Sequence, residues 1–354
     1  MKKTYIYDYE TIKNCFLAVY INNKNTKDIV KFEVSDFENQ FEDYIKFQKH
    51  LIKSKNYIVS FNGLNFDSQV AVYCLSEYRN LKNLTGGEIA REIFLFVQKL
   101  LDLKNEKGWS IYKIADLPFN EIDLAAINNY NNQAKFASLK WLQYNMDWDN
   151  IMDMNCKPDD ILNQKEIIQL TIYCINDCLS TRALLALNVD QIIVRQELSK
   201  HFGIELQNLS EPKLAKAILM DLLSKDLNID PYELKNKQTY RKVIHLDEAI
   251  LPYIKFITPP LKKTLNMFKK LKLDGENLKG AFKHSVTYRG LEFSFALGGI
   301  HGAKRGYYKE ENNMIVKSFD VKSYYPNLCI RNNWSPAHLD ATTYCKRYEW
   351  FYDE

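Results

Sequence analysis

Paired cysteines are missing from this chain. Cys15, Cys74, Cys156, Cys174, Cys178, Cys329 and Cys345 are odd in number, lie mostly within apolar runs and form no paired CxxC knuckles. Neither a disulfide framework nor a cysteine-based structural zinc site is therefore indicated. No segment reads as long enough to span a membrane, and the apolar stretch in MKKTYIYDYE is too short and too acidic for a signal peptide. A cytoplasmic protein with no membrane partner is the expectation. Internal repeats and low-complexity tracts are also absent. Net charge is small as well: 48 basic against 44 acidic residues leave +4, too mild to indicate a polyanion partner by itself.

What the chain does have is length, apolar content and a particular set of acids. At 354 residues, 46% hydrophobic and 13% aromatic, it exceeds one typical domain and can bury real cores. Asp8 and Glu10 in YDYET, Asp67 in FNGLNFD and Asp177 in YCINDC each sit where an α/β fold would place a side chain at one end of a sheet. TYIYDY reads as a buried strand, in which positions i and i+2 share a face, so Asp8 and Glu10 point to one site and Tyr9 points away. Cys15 to Ile21 reads as the returning strand of a hairpin turning at Lys13 and Asn14. NYIVSF reads as another strand, broken by NGLN before a helix from about Ser68 to Glu77, which leaves Asp67 in a strand-to-helix turn. Gln164 to Leu187 has helical spacing, with Tyr173 and Asp177 on one face as an i, i+4 pair. Carboxylates gathered in this way can hold two hard cations roughly 3.5 to 4 Å apart, a standard device for phosphodiester hydrolysis.

Each acid also has a plain alternative. Asp67 alone reads as a helix N-cap, and Asp177 as half of a surface pair with Arg182 or Lys165. Glu10 resists such a reading, because carboxylates are seldom buried unless paired or metal-bound. Cys174 and Cys178 beside Asp177 read as packing residues, since hard cations prefer oxygen. Further along, helices are expected at GEIAREIFLFVQKLL and FASLKWLQYNM, and Ile122, Leu124 and Ala126 in FNEIDLAAI alternate as in a half-buried strand. The character becomes mixed helical and charged from Gln191 to Gly290, where SEPKLAKAILMDLL reads as a helix capped by Ser210. In that stretch Lys262, Lys263, Lys269, Lys270 and Lys272 either track a phosphate backbone or form a solvated helix face.

From Leu291 onward the pattern becomes specific. LGGIHGAKRG places Gly298, Gly299 and Gly302 beside Lys304 and Arg305, a basic turn whose amides can approach phosphates. MIVKSFDVKSYYPNL follows as an apolar strand ending in Asp320 and turning at Tyr325 and Pro326. FDVKSYYPNL resembles the DxxSLYP motif A of family B DNA polymerases, and YDYET, NGLNFD and YCIND resemble that family's three exonuclease motifs in order. The spacing is similar to the compact phage enzymes, with GGIHG similar to the glycine turn before motif A.

The resemblance implies a ribonuclease H-like α/β exonuclease domain over 1–190, a helical connecting region over 191–290 and the start of a palm over 291–354. It implies metal binding by Asp8, Glu10, Asp67 and Asp177 at a two-ion Mg2+ or Mn2+ site, with Tyr173 orienting the attacking water and Asn62 and Phe66 against a single-stranded DNA 3′ end. Asp320 matches the first polymerase metal ligand and Tyr325 the residue under the incoming sugar. Gly298, Gly299, Lys304 and Arg305 would lie along primer-template DNA, and Lys140 in SLKWLQ is similar to an auxiliary lysine. Tyr324 replaces the usual leucine of motif A, and Ala296 stands where some relatives carry tyrosine. The fingers lysine helix and the second palm aspartate are not found before Glu354, so the expected activity is proofreading hydrolysis in DNA replication by an N-terminal portion of a polymerase. Deoxynucleotide incorporation would need the remainder, or a second polymerase chain that supplies it; a non-catalytic DNA-binding module is the other reading. A phage origin would make the location host cytoplasm.

Overall fold

The computed structural model describes residues 3–108, 110–128, 137–278, 282–297, 299–304, 306–307, 309–310 and 315–353. They divide into two units, Met1–Ile218 and Leu219–Glu354.

The first unit is mixed α/β. Strands β1 (Thr4–Ile12), β2 (Cys15–Asn22) and β3 (Asn25–Ser35) form an antiparallel meander, and β4 (Tyr57–Ser60) and β5 (Asn120–Asp123) add in parallel, giving the order β3-β2-β1-β4-β5. The turn at Lys13 and Asn14 is short because Asn14 ties it down, donating from Nδ2 to the Leu162 carbonyl at 3.0 Å and accepting the Leu162 N–H at 2.9 Å. Between β3 and β5 run α1 (Phe41–Ser54), α2 (Asp67–Ser76), α3 (Tyr78–Leu81) and α4 (Gly86–Lys107). A Thr85/Glu88 capping box starts α4 and left-handed Gly108 ends it. After β5 come α5 (Leu124–Asn128), α6 (Leu139–Asn145), α7 (Gln164–Leu187) and α8 (Val189–Phe202), and α9 (Glu211–Leu227) begins directly after buried Ser210. The expected boundaries of the hairpin, of α7 and of α2 hold to within a residue or two.

Alternation along β1 sorts its side chains between two cores. Tyr5, Tyr7 and Tyr9 enter an aromatic layer with Phe16, Tyr20 and Tyr44, against helices α1, α2 and α4. Ile6 and Ile12 enter an aliphatic layer with Ile167, Leu170, Cys174 and Leu184 of α7. Asp8 and Glu10 share the second face, so the sheet turns them toward α7. By length and composition α7 would reach across a membrane, contrary to the sequence expectation; half of its apolar window is nevertheless buried against the sheet, as in a core helix.

The alternation expected through Ile122, Leu124 and Ala126 fails. The strand stops at Asp123 and the chain turns into α5, with Glu121 through Ala125 all buried. The turn occurs because Asp123 Oδ1 accepts the N–H groups of Ala125 at 2.9 Å and Ala126 at 3.4 Å, capping α5 in place of continuing the ladder.

The second unit contains α10 (Pro231–Asn236), β6 (Val243–His245), α11 (Leu246–Ala249), α12 (Pro259–Phe268) and β7 (Lys272–Asp274), the last pairing antiparallel with β6. A three-stranded antiparallel sheet follows, β8 (Lys283–Tyr288), β9 (Leu291–Ala296) and β10 (Gly299–Ala303), then α13 (Tyr324–Asn332) and α14 (Ala341–Asp353). The five lysines around α12 are exposed, the arrangement of a solvated face. Residues 315–321 form no strand: Ile315, Val316, Phe319 and Val321 are exposed, and no partner strand among the described residues satisfies their backbone. Tyr325 and Pro326 open a helix where a turn was expected, Pro326 being tolerated in the first turn, whose N–H groups lack intrahelical partners.

Candidate metal centre

The first site residues come from a strand that outruns its neighbour. β1 pairs with β4 only from Thr4–Tyr57 to Ile6–Val59, whereas its pairing with β2 continues through Asp8–Val19 and Glu10–Leu17. Beyond β4 the Tyr9 N–H has no ladder partner, and Asp67 Oδ1 accepts it at 3.0 Å. Asp67 is the first residue of α2, but the N-cap position belongs to Phe66 and no side chain caps the helix, so the plain capping reading does not hold. The carboxylate instead reaches across to β1.

α7 supplies the opposite wall. Tyr173 and Asp177 lie one turn apart and their side chains hydrogen-bond. Gln143 of α6 donates from Nε2 to Asp177 Oδ1 at 2.9 Å and to Ser180 Oγ at 2.8 Å, while Ser180 Oγ donates to the Asp177 carbonyl at 3.0 Å. Because a carboxylate only accepts, this network fixes which way the Gln143 amide faces. Arg182 donates to the Asn23 carbonyl, so the surface pair proposed for Asp177 does not form. Lys140, one turn before Gln143, pairs with Asp153, and its charge acts favourably on Asp177.

Electrostatics set these acids apart from ordinary surface carboxylates. Burial, then the charge of Asp177, pushes Asp8 up to about 8. Glu10 is held well above the usual range by burial and then by Asp8, Asp177 and Asp67. Asp67 is raised by burial and then by Asp8 and Glu121. Asp177 is raised by burial, opposed by its hydrogen bonds from Gln143 and Tyr173. No lysine or arginine forms an ion pair with any of these acids among the described residues. Crowded oxygen donors of one sign, with no built-in cation, fit a divalent ion. Asp8, Glu10 and Cys174 in particular place their donor atoms within 4.8 Å of one another.

Behind Asp67 lies a buried acid that sequence reasoning passed over. Glu121 Oε1 accepts from Tyr7 Oη at 2.7 Å and Ser60 Oγ at 2.6 Å, and Oε2 accepts from Ser68 Oγ. Asp123 holds the loop that follows β4, accepting the N–H groups of Asn62 at 2.8 Å and Leu64 at 3.3 Å. Gly63 is required between them, because a Cβ there would stand 2.4 Å from Ser60 Oγ and 2.5 Å from Glu121 Oε1. The alternation in FNEIDLAAI drew attention to its apolar positions, and only the acids at the odd-numbered positions between them hinted at these two.

The remaining expected residues scatter. Asn62 has a left-handed backbone, φ 71°, and its Oδ1 accepts from Asn65. Phe66 is half-buried and packs on the aromatic layer. Gly299 opens β10 at φ 141° and Lys304 follows that strand, exposed; Gly298 and Arg305 lie outside the described residues. Asp320 is exposed, accepting only the Val321 N–H among the described residues, and Tyr325 is exposed on α13. Both belong to the second unit, whereas Asp8, Glu10, Asp67, Tyr173 and Asp177 come together in the first.

No family model, no curated protein and no solved structure matches this chain.

Proposed function

We propose that the first unit is a ribonuclease H-like 3′ to 5′ exonuclease acting on single-stranded DNA ends, within a DNA-replication enzyme of the family B polymerase type. The observation that carries the reading is the convergence of Asp8, Glu10, Asp67 and Asp177, largely buried and without an ion-pair partner among the described residues, from a strand, a strand-to-helix turn and a helix. Their order along the chain, with Tyr173 beside Asp177, is that of the exonuclease motifs, and FDVKSYYPNL supports the polymerase context.

The donor set suits Mg2+ or Mn2+. Asp8, Glu10 and Asp177 would hold one ion and Asp8 and Asp67 a second; when bound, such ions lower the pKa of water and offset charge on the departing 3′ oxygen. The chain's own residues do the positioning. Gln143 and Ser180 lock Asp177, and the Tyr173 hydroxyl on that carboxylate stands ready to orient a water for in-line attack. Asp123 fixes the loop that carries Asn62; contact of Asn62 and Phe66 with a terminal nucleotide rests on the motif resemblance alone, since Phe66 packs on the aromatic layer. Deoxynucleotide addition is not proposed for the described residues, where Asp320 is exposed and its carboxylate accepts only the Val321 N–H.

The test is direct. The full chain with Mg2+ and a 5′-labelled single strand is expected to release mononucleotides from the 3′ end, and Asp8→Ala with Glu10→Ala is expected to abolish that release while far-ultraviolet circular dichroism stays unchanged. Undiminished digestion by the double variant would refute the assignment.

A further inference from the structure

Cys174 is the residue at this centre that the oxygen-only description leaves unexplained. It is fully buried on the side of α7 that meets β1, with Sγ 3.4 Å from the Asp8 carbonyl and 3.6 Å from Asp8 Oδ2. Cys178, one turn on, has its Sγ 3.8 Å from the Val19 carbonyl and its thiol beside that of Cys174. Glu10 provides an independent indication of a ligand. It is only 7% exposed, its carboxylate makes no hydrogen bond or ion pair among the described residues, and its oxygens lie within 4.8 Å of Cys174 Sγ and the Asp8 carboxylate. A buried carboxylate left without a donor is costly unless something enters to meet it.

We infer that Cys174 is a third donor at the Asp8–Glu10 position, making this centre a selective trap for thiophilic divalent cations such as Zn2+, Co2+ and Cd2+. The spacing suits the chemistry. A tetrahedral ion at about 2.1 Å from a carboxylate oxygen and about 2.3 Å from sulfur sets those donors roughly 3.6 Å apart, and Cys174 Sγ and Asp8 Oδ2 already stand at 3.6 Å. Binding breaks the S–H bond and forms a sulfur–metal bond, with the proton passing to solvent. Hard Mg2+ gains little from sulfur, so with Mg2+ the thiol keeps its proton and its bond to Asp8. One pocket thus has two donor sets: carboxylates alone for Mg2+, and two carboxylates with a thiolate for softer ions. Zinc-group ions would then compete with Mg2+ at Asp8 and Glu10.

The inference rests on reading these acids as a metal centre, and its test separates the two ideas by measuring binding without turnover. The full chain, free of nucleic acid, is titrated with Co2+ and followed for the near-ultraviolet thiolate-to-cobalt charge-transfer band, and separately titrated with Mg2+ by calorimetry. The wild type is expected to show the band. Cys178→Ser is expected to keep it, and both Cys174→Ser and Cys174→Ala to lose it with at least about tenfold weaker Co2+ binding, while Mg2+ affinity is unchanged. A band that survives in both Cys174 variants, or is absent from the wild type although Mg2+ binds in an Asp8-dependent manner, overturns the role of Cys174 and leaves the metal centre standing. If neither ion binds in a way that Asp8→Asn removes, the metal centre itself is refuted.

Discussion

Glu121→Gln is the substitution whose consequence can be worked furthest. Glu121 is buried in β5, and burial, followed by the charge of Asp123, raises it from 4.5 to about 7 against the opposing bonds from Ser60, Ser68 and Tyr7. The folded protein therefore keeps this proton over a range in which the unfolded chain has lost it. The stabilisation is complete below 4.5, declines as pH rises through about 7, and is flat above that. The rise from 4.5 to about 7 corresponds to about 3 kcal/mol lost by pH 8, against about 1 kcal/mol at pH 5. Glutamine mimics the protonated acid: its oxygen can keep the Tyr7 and Ser60 donors, and its amide can donate to Ser68, whose hydroxyl can turn toward Tyr7 Oη 3.0 Å away. The assay is urea unfolding of wild type and Glu121→Gln in chelator from pH 4.5 to 8.5. Contributions common to both proteins cancel in the difference, except that Asp67, which the Glu121 charge helps to raise, is relieved in the variant in the same direction. The variant is expected to gain about 2 kcal/mol relative to wild type between pH 5 and pH 8. A difference that stays constant across that range, or that favours the wild type more as pH rises, would refute the reasoning.

Two further substitutions probe the same frame. Gly63→Ala forces a methyl against Ser60 and Glu121, where the crowding includes Ser60 Cβ at 2.6 Å, so thermal unfolding should show a loss of about 1 to 3 kcal/mol; a neutral effect would mean that the β4 turn yields more than its hydrogen bonds imply. Gln143→Leu keeps the volume but removes both donors from Asp177 and Ser180, and is expected to weaken Mg2+ binding and exonuclease turnover by about 10- to 100-fold with little change in melting temperature. Asp177 should then titrate higher, moving the activity profile toward alkaline pH; equal Mg2+ affinity in the two proteins would remove Gln143 from the site.

What could be read from the sequence was local. The hairpin, the α7 boundaries and the common face of Tyr173 and Asp177 follow from periods of two residues or of one helical turn, which need no knowledge of distant chain. Glu121 was not legible because its partners, Tyr7, Ser60 and Ser68, lie 114, 61 and 53 residues away. Gln143 was hidden differently: the segment drew notice for Lys140, and only the approach of α6 to α7 makes the amide a partner of Asp177, 34 residues on. Cys174 reads as packing from ligand preference, and it does pack in the aliphatic layer; its distance to Asp8 is what the sequence does not carry. For residues 315–321 an apolar pattern suggested a strand, but a strand is a pairing, and a pattern on one segment does not supply a partner.

The same long-range bonds explain how the centre is held. A strand that extends past β4 exposes the Tyr9 N–H, and that single unpaired donor draws Asp67 in from α2. Ser68, the next residue, ties the start of α2 to Glu121, while Asp123, two residues further along β5, ties the loop before it. On the other face α7 brings Asp177, locked by Gln143 and Ser180. Each wall is thus fixed by buried polar residues, Glu121 and Asp123 on one side and Gln143 on the other. Repulsion among buried carboxylates would push such walls apart if they were free to move; held where they are, the acids carry raised proton affinity, which a divalent cation bound among them, as proposed above, would lower.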